Sequence, residues 1–202
     1  MSLITDLFRD YYDPFGWLSA EGRLYRLAGS ALNTTATGAT SFATTTPTFG
    51  VFLDADSGLA MIPAEARLFQ AGTVAGGAVT VLMEMDNADR YTSGGTAMTA
   101  MSTDMRNTAL PTGATAISTV GSAIVATDAV GMRMGGYLLG QDVSPAEGAV
   151  NEIIWTPSAG PDILKTTASL GASWLINTFA ATTGPTWFWS LKAAVIPLAW
   201  CA

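Results

Sequence analysis

The stretch over residues 79–105 constrains the fold more than any other part of this sequence. It begins with an alternation that places Val79, Val81, Met83 and Met85 on one face and Thr80, Leu82, Glu84 and Asp86 on the other. A two-residue period is typical of a half-buried β-strand. The polar corner that follows contains Gly94 and Gly95, which can adopt the positive φ of a tight turn. We therefore predict that residues 97–101 return as a strand paired with the first.

Similar short segments, separated by Gly, Pro, Asp or Ser, continue along the chain. They predict strands within residues 48–54, 61–69, 114–127, 129–140, 149–156, 163–178 and 186–198. No long helical pattern separates them, and 202 residues suit a single sandwich. The fold class predicted is therefore all-β: an antiparallel, jelly-roll-like β-sandwich with an N-terminal arm.

The first part of the chain differs in composition from the rest. Residues 1–47 are predicted to be an arm and a Thr/Ala-rich linker, and residues 48–202 to be the sandwich domain. A short helix is expected over residues 2–12, ended by Pro14 and Gly16. The arm is either folded back on its own sheet or laid across a neighbouring subunit. The interface hypothesis concerns its large apolar side chains: Leu3, Leu7, Phe8, Tyr11, Tyr12, Phe15 and Trp17.

The charge of the chain bears on its partners. Charged residues make up 12% of the chain, against about 25% in typical soluble proteins, which suggests that other subunits cover part of the surface. The formal net charge of −7 and only nine Lys and Arg residues argue against nucleic acid as a partner. We also expect neither a secretory signal nor a membrane span, because no long apolar run occurs and the N-terminus lacks a basic segment.

Catalytic chemistry has few candidate residues in this sequence. There is no histidine, which excludes Ser-His-Asp triads and His-ligated zinc, and Cys201 is the only cysteine. The nearest carboxylate pairs for glycoside hydrolysis are Glu84 with Asp86 and Glu147 with Glu152. Acids two residues apart on a strand are more typical of a solvated face, so we predict no enzymatic activity.

Two acidic segments were considered as calcium sites. Asp54, Asp56 and Glu65 follow part of the spacing of a helical calcium loop, but Leu59 stands where that loop requires glycine. Asp86, Asn87 and Asp89 could also surround a cation, although an Asx-rich corner between strands explains them better. We predict turns at both places and expect no metal or cofactor.

The aromatic residues near the C-terminus have two interpretations. Trp174, Trp187 and Trp189 alternate with other residues on predicted strands, which indicates side chains that fill the space between sheets. An exposed row of the same residues would instead stack on sugar rings. Carbohydrate binding therefore remains an alternative to a core position.

The runs LMEMDNADRYTSGGTAMTAMSTDM (82–105) and TWFWSLKAAVIPLAW (186–200), together with the strand-rich region 114–127, carry a resemblance. The pattern is similar to sandwich-fold structural proteins of tailed bacteriophage virions, and RYTSGGT (90–96) is its most specific part. The resemblance implies a capsid cement or decoration protein on the virion surface, homotrimeric, bound to the major capsid protein and without an active site. The alternatives are a receptor- or glycan-binding fibre or tail component and, third, a carboxylate glycosidase.

Overall fold

The computed structural model describes residues 13–31, 33–71, 79–127, 132–139, 152–157 and 161–201. In chain order, these residues form α1 (Pro14–Ala20), β1 (Leu24–Ala28), β2 (Ala36–Thr37), β3 (Phe49–Leu53), β4 (Leu59–Gln70), β5 (Val79–Asp86), β6 (Tyr91–Gly94), β7 (Thr96–Ala97), β8 (Thr99–Ser102), β9 (Ala114–Ser118), β10 (Ile124–Ala126), β11 (Met132–Leu139), β12 (Glu152–Trp155), β13 (Leu164–Lys165), β14 (Ala172–Phe179), β15 (Thr186–Pro197) and a closing 3-10 helix (Leu198–Cys201).

The strands form an antiparallel β-sandwich. The seven-stranded sheet has the order β12-β4-β15-β1-β8, with β13 also paired with β4 and β2 with β15. The six-stranded sheet has the order β11-β5-β14-β3-β9-β7, and β6 and β10 form a separate two-stranded ribbon. The predicted all-β sandwich is confirmed, whereas the jelly-roll order of its strands stays a prediction.

The core lies between the two sheets and is rich in aromatic side chains. Trp174 and Trp187 are at most 1% exposed, and Trp189 contacts Phe49 with ring centroids 5.2 Å apart. The alternating face of β5 is buried in the same cluster: Val79, Val81, Met83 and Met85. Burying each such side chain fully contributes about 1.5–3 kcal/mol. The predicted core positions of the three tryptophans are therefore confirmed.

The predicted pairing of β5 with the strand after Gly95 is wrong. Gly94 and Gly95 do have positive φ, at 78° and 67°. However, β5 pairs with β11 and β14 in the six-stranded sheet, while β8 pairs with β1 in the other sheet. The reason is that β14 offers β5 a matching apolar face of Trp174 and Ile176, and such packing outweighs proximity in the sequence.

Strand β4 changes the face that it buries at a β-bulge. Its pairing with β15 skips Ala64, between Pro63 and Glu65. Pro63 is compatible with this central strand because a bulge interrupts the ladder of backbone hydrogen bonds. The core-facing residues consequently shift by one along β4, from Leu59 and Met61 before the bulge to Ala66 and Leu68 after it.

The first described residues belong to the sandwich and not to a separate arm. Pro14, which was expected to end a helix, begins α1, because proline is favoured in the first helical turn and Asp13 Oδ1 accepts the Gly16 N–H at 2.9 Å. Strand β1 then lies between β15 and β8. The sequence predicts that the sandwich domain begins at residue 48. In the structure, β1 and β2 precede that boundary and are strands of the seven-stranded sheet. The predicted helix over 2–12 falls outside the described residues.

Candidate functional site

The outer face of the seven-stranded sheet is solvent-exposed over the half that lies beyond the β4 bulge. Alternate residues there point away from the core, since Ala66, Leu68 and Leu191 point into it. The ladder register aligns these outward residues across β12, β4, β15 and β1. We call this surface the open face; its residues are Arg26, Glu65, Arg67, Phe69, Glu152, Ile154, Phe188, Ser190 and Lys192.

A row of ion pairs crosses the centre of the open face. Glu65 Oε1 lies 3.0 Å from Lys192 Nζ and 3.1 Å from Arg67 Nε. Both contacts are ion pairs by distance and lack the alignment of a hydrogen bond, because neither Glu65 Oε1 nor Arg67 Nε has a hydrogen-bond partner among the described residues. Arg67 Nη1 also lies 3.9 Å from Glu152 Oε1. Pairs this exposed contribute about 0–1 kcal/mol to stability, so their main effect is to hold the charged groups in a fixed pattern.

Apolar side chains flank this row of charges. Phe188 is 38% exposed and Ile154 is 46% exposed, and both lie beside the ion pairs in the sheet register. Arg26, on β1, is exposed and forms no ion pair within the described ranges. Exposed aromatic and arginine side chains are enriched at protein interfaces, whereas the Glu and Lys side chains of this face are more typical of an interface rim.

The other half of the same outer face is covered by α1 and the 3-10 helix. Trp17 stacks against Trp200 with ring centroids 5.5 Å apart, and the Arg23 guanidinium lies 5.6 Å from the Trp200 ring. Below them is a second apolar cluster: Leu18, Leu24, Ala60, Ile62, Ala64, Ala194, Ile196 and Cys201. This half of the face is closed by the chain itself.

The residues of the predicted arm interface are placed only in part. Phe15 and Trp17 are partly buried against the apolar cluster of their own sheet, as the folded-back alternative expects. Leu3, Leu7, Phe8, Tyr11 and Tyr12 lie outside the described residues.

The carboxylate pairs are engaged in contacts within the fold. Glu84 is 2% exposed, and Asn177 Nδ2 lies 3.4 Å from its Oε2. Asp86, two residues on, accepts a hydrogen bond from Arg90 Nε at 2.6 Å. In the second pair, Glu152 contacts Arg67, and Glu147 lies outside the described residues. Of these acids, the structure brings only Glu84 and Asp86 to one strand face.

Both acidic segments that were considered for calcium form turns. Asp56 and Gly58 have positive φ in the turn between β3 and β4, and Glu65 lies on the open face, away from that turn. Asp89 Oδ1 accepts the Tyr91 N–H at 3.0 Å, which is the expected Asx-type corner. Within the described ranges, no three His, Cys, Asp or Glu side chains form a group that could hold a metal ion.

Among the described residues, four titratable groups have shifted pKa values. Burial raises the pKa of the Tyr25 hydroxyl. Burial raises the pKa of the Asp89 carboxyl, the Tyr91 N–H opposes this, and the nearby charge of Asp54 adds to it. Burial likewise raises the pKa of the Cys201 thiol, so the thiol form is favoured. The Ser102 hydroxyl, which donates to Asp104 Oδ1 at 2.5 Å, lowers the pKa of Asp104.

The open face was missed at the sequence level. The signal was present in the charged residues that alternate with apolar ones after Pro63 and near the end of the chain: Glu65, Arg67 and Lys192. The sequence alone does not place these residues on one surface. The bulge at Ala64 shifts the alternation of β4, and the pairing of β4 with β15 joins distant parts of the sequence.

Comparisons with protein-family models, with curated proteins and with solved structures found no match to this chain. Among the described residues, no helix combines the length and apolar composition that crossing a membrane requires.

Proposed function

We propose that this protein is a structural protein of a tailed bacteriophage virion, a homotrimeric cement or decoration subunit that binds the major capsid protein on the capsid surface. The observation that carries the proposal is the open face, a partly exposed area of ion pairs flanked by the exposed side chains of Phe188 and Ile154. The resemblance of residues 82–105 and 186–200 to virion structural proteins indicates the class of protein. Low charge supports an assembly role, because much of the surface is neutral.

The proposed mechanism is adhesion. A sandwich with a continuous core is a rigid platform, so a sheet face can be presented to a partner without reordering the backbone. The ion pairs of Glu65 would fix the register of docking, and the flanking apolar side chains would contribute most of the buried area. The bound subunit would then link neighbouring capsid proteins against pressure from the packaged genome.

The tryptophan positions favour this function over a glycan-binding fibre. Sugar stacking requires exposed rings, whereas Trp155, Trp174, Trp187 and Trp189 are each at most 8% exposed. The glycosidase alternative requires two acids facing each other across a cleft. It is disfavoured by the burial of Glu84 and by the pairing of Asp86 with Arg90.

Co-sedimentation with empty capsids tests the proposal. The wild-type chain is expected to pellet with capsids in a saturable manner and to scatter light as an oligomer. Phe188→Asp should weaken binding by about tenfold or more, because a charge would be buried at the contact. Val125→Asp is the matched control, since Val125 is similarly exposed, at 45%, but lies on the β6–β10 ribbon. A wild-type chain that never pellets and is monomeric at every concentration would contradict the proposal.

A further inference from the structure

The edge of the open face next to β8 carries a cation that no acid neutralises. Arg26, on β1, lies opposite Lys192 of β15 in the ladder register, where like charges repel each other. Lys192 forms an ion pair with Glu65, whereas Arg26 forms none within the described ranges. With Arg67 and Glu152 included, the open face has three cations against two carboxylates, in a chain of net charge −7. This edge therefore favours an acidic partner.

An exposed methionine stands beside Arg26 on a turn that fixes it in an unusual backbone conformation. Met105 is 74% exposed and has φ 63°, in the left-handed region that few residues other than glycine adopt. Its N–H donates to the Ser102 carbonyl at 2.8 Å, and the Ser102 N–H donates to the Asn107 carbonyl at 2.7 Å. Asn107 Nδ2 also donates to the Gly22 carbonyl at 3.1 Å. The fold thus holds a strained residue with its apolar side chain in water, which indicates a role in binding and not in stability.

The two side chains border a hollow together with a second methionine. The hollow has a volume of about 130 Å³, and Met101, on its border, is 36% exposed. Methionine side chains adapt their shape to the surface that they contact. A cation between two exposed methionines suits a partner that presents carboxylates beside an aliphatic side chain. We call this surface the Arg26 corner; its residues are Arg26, Met101 and Met105.

The complementary combination occurs on the turn between β3 and β4 of the same chain. Asp54 and Asp56 are exposed there and form no ion pair within the described ranges. The Asp56 N–H donates to the Thr167 carbonyl at 2.8 Å, and the Thr167 N–H donates to the Leu170 carbonyl at 2.8 Å. These bonds bring Leu170, which is 47% exposed, close to the two acids. We call this surface the acidic turn; its residues are Asp54, Asp56 and Leu170.

We propose that the Arg26 corner binds the acidic turn of a second copy of this chain. Arg26 pairs with the carboxylates of that turn, and the second copy's Leu170 packs against Met101 and Met105. Each surface then gains the charge that it lacks in its own subunit. A two-fold contact between two Arg26 corners fits poorly, because it would bring Arg26 against Arg26 without an acid between them.

The two surfaces lie at the same end of the sandwich. Strand β8 ends at Ser102, and the Asp54 N–H donates at 2.9 Å to the carbonyl of Gly113, in the segment that joins β8 to β9. A contact between two different patches repeats from copy to copy and forms a ring when the rotation closes. Patches at one end turn each copy relative to the last, which suits the homotrimer of the proposed function. The inference rests on that proposal for the oligomer alone, and the contact involves neither Phe188 nor Ile154.

Sedimentation equilibrium of the full chain tests the inference. The wild type should associate, and molar salt should weaken its association by about tenfold or more, because exposed charges are screened. Arg26→Glu and Asp54→Lys should each weaken association by about tenfold or more, since each variant places like charges across the contact. The variant that carries both changes should recover most of the loss, because the two charges are exchanged. Two unrelated defects would instead add.

Met105→Asn separates the contact from folding. Asparagine adopts positive φ more readily than methionine, so the dilute monomer should unfold at the same temperature or higher. Association should nevertheless weaken by about threefold or more, because an apolar contact is lost. Val125→Asn, at a position 45% exposed on the β6–β10 ribbon, is the control and should associate as the wild type does.

Two results would overturn the inference: a wild type that is monomeric at every concentration, or a double variant that associates no more strongly than the single variants. Capsid co-sedimentation keeps this contact distinct from the proposed capsid contact. A monomeric chain that still pellets with capsids would overturn the contact between copies alone. An oligomer that shows the charge-exchange rescue but never pellets would overturn the capsid contact alone.

Discussion

Each sheet turns one face away from the core, and the two outer faces are covered in different ways. On the six-stranded sheet, the ribbon of β6 and β10 contributes Ile124, fully buried against Phe52, Ile117 and Leu175. On the seven-stranded sheet, α1 and the 3-10 helix cover the half before the β4 bulge, and the open face beyond it meets solvent. The covering elements thus end where charged side chains begin to alternate with apolar ones on the sheet.

The difference separates residues that stabilise the fold from residues available to a partner. Side chains under the ribbon or under α1 have lost their contact with water, so truncating them leaves a cavity. On the open face, Phe188 and Ile154 remain exposed, so changing them should have little effect on folding, and the proposed function predicts an effect on binding. The substitutions below test this division.

Among these substitutions, Gly95→Val should lower the free energy of unfolding most. Gly95 has φ 67°, and a side chain there would meet Ile117 and the Ile124 Cγ1. Strain and overpacking together predict a loss of about 3 kcal/mol or more in the free energy of unfolding. Gly58→Val is the matched control, because Gly58 has the same φ of 67° with no atom within 4 Å of the new side chain. Urea unfolding of the control should show a loss of about 1–2 kcal/mol in the free energy of unfolding. Equal losses in the free energy of unfolding of the two variants would show that the contacts with Ile117 and Ile124 add nothing to the cost at Gly95.

Leu18→Ala tests the covered half of the seven-stranded sheet. Leu18 is 0% exposed in α1, so its truncation should cost about 2–4 kcal/mol. Ile154→Ala, on the open face at 46% exposure, should cost less than about 1 kcal/mol. Thermal unfolding of the two variants measures the contrast. A loss at Ile154 as large as that at Leu18 would mean that the open face is covered in solution.

Glu65→Gln should lower the stability of the fold less than Leu18→Ala does. The change removes the carboxylate shared by Lys192 and Arg67 but keeps the shape of the side chain. A cost of about 0.5–1 kcal/mol is expected, and it should shrink at high salt because the pairs are partly exposed. Unfolding at low and at molar salt would measure both values; a loss independent of salt would point to packing instead of charge.

The smallest expected effect concerns Asp104, which follows strand β8 and lies outside the two sheet faces compared above. The Ser102 hydroxyl holds the pKa of this carboxyl below its usual range, so the charged form is favoured in the fold. Its contribution to stability is present above the pKa of the unfolded state and is lost as pH falls through the folded value. Carbon-detected titration should show an upward pKa shift in Ser102→Ala, and an unchanged titration would contradict the assigned cause.

Local patterns in the sequence were enough to predict the sandwich and its core. The alternation of β5 and of the first half of β15 predicts the strands Val79–Asp86 and Thr186–Pro197, because alternate residues there are buried in the core. The positive φ at Gly94 and Gly95 was predicted for the same reason, since turn chemistry is local. What the local pattern could not give was the partner of each strand.

The candidate sites depend on those partners. The ion pairs of the open face join Glu65 to Lys192, residues far apart in sequence, next to the bulge at Ala64. The Trp17 to Trp200 contact likewise joins the two ends of the described chain. Pro63 was the available clue, because proline inside an apolar strand indicates a bulge or an edge.

The most direct test of the central claim, that the open face is the binding surface, is hydrogen exchange of the chain free and bound to empty capsids. The account predicts added protection concentrated in β4 beyond Ala64, in the first half of β15 and in β12, with the β6–β10 ribbon exchanging as in the free chain. Protection of the ribbon and an unchanged open face would contradict it.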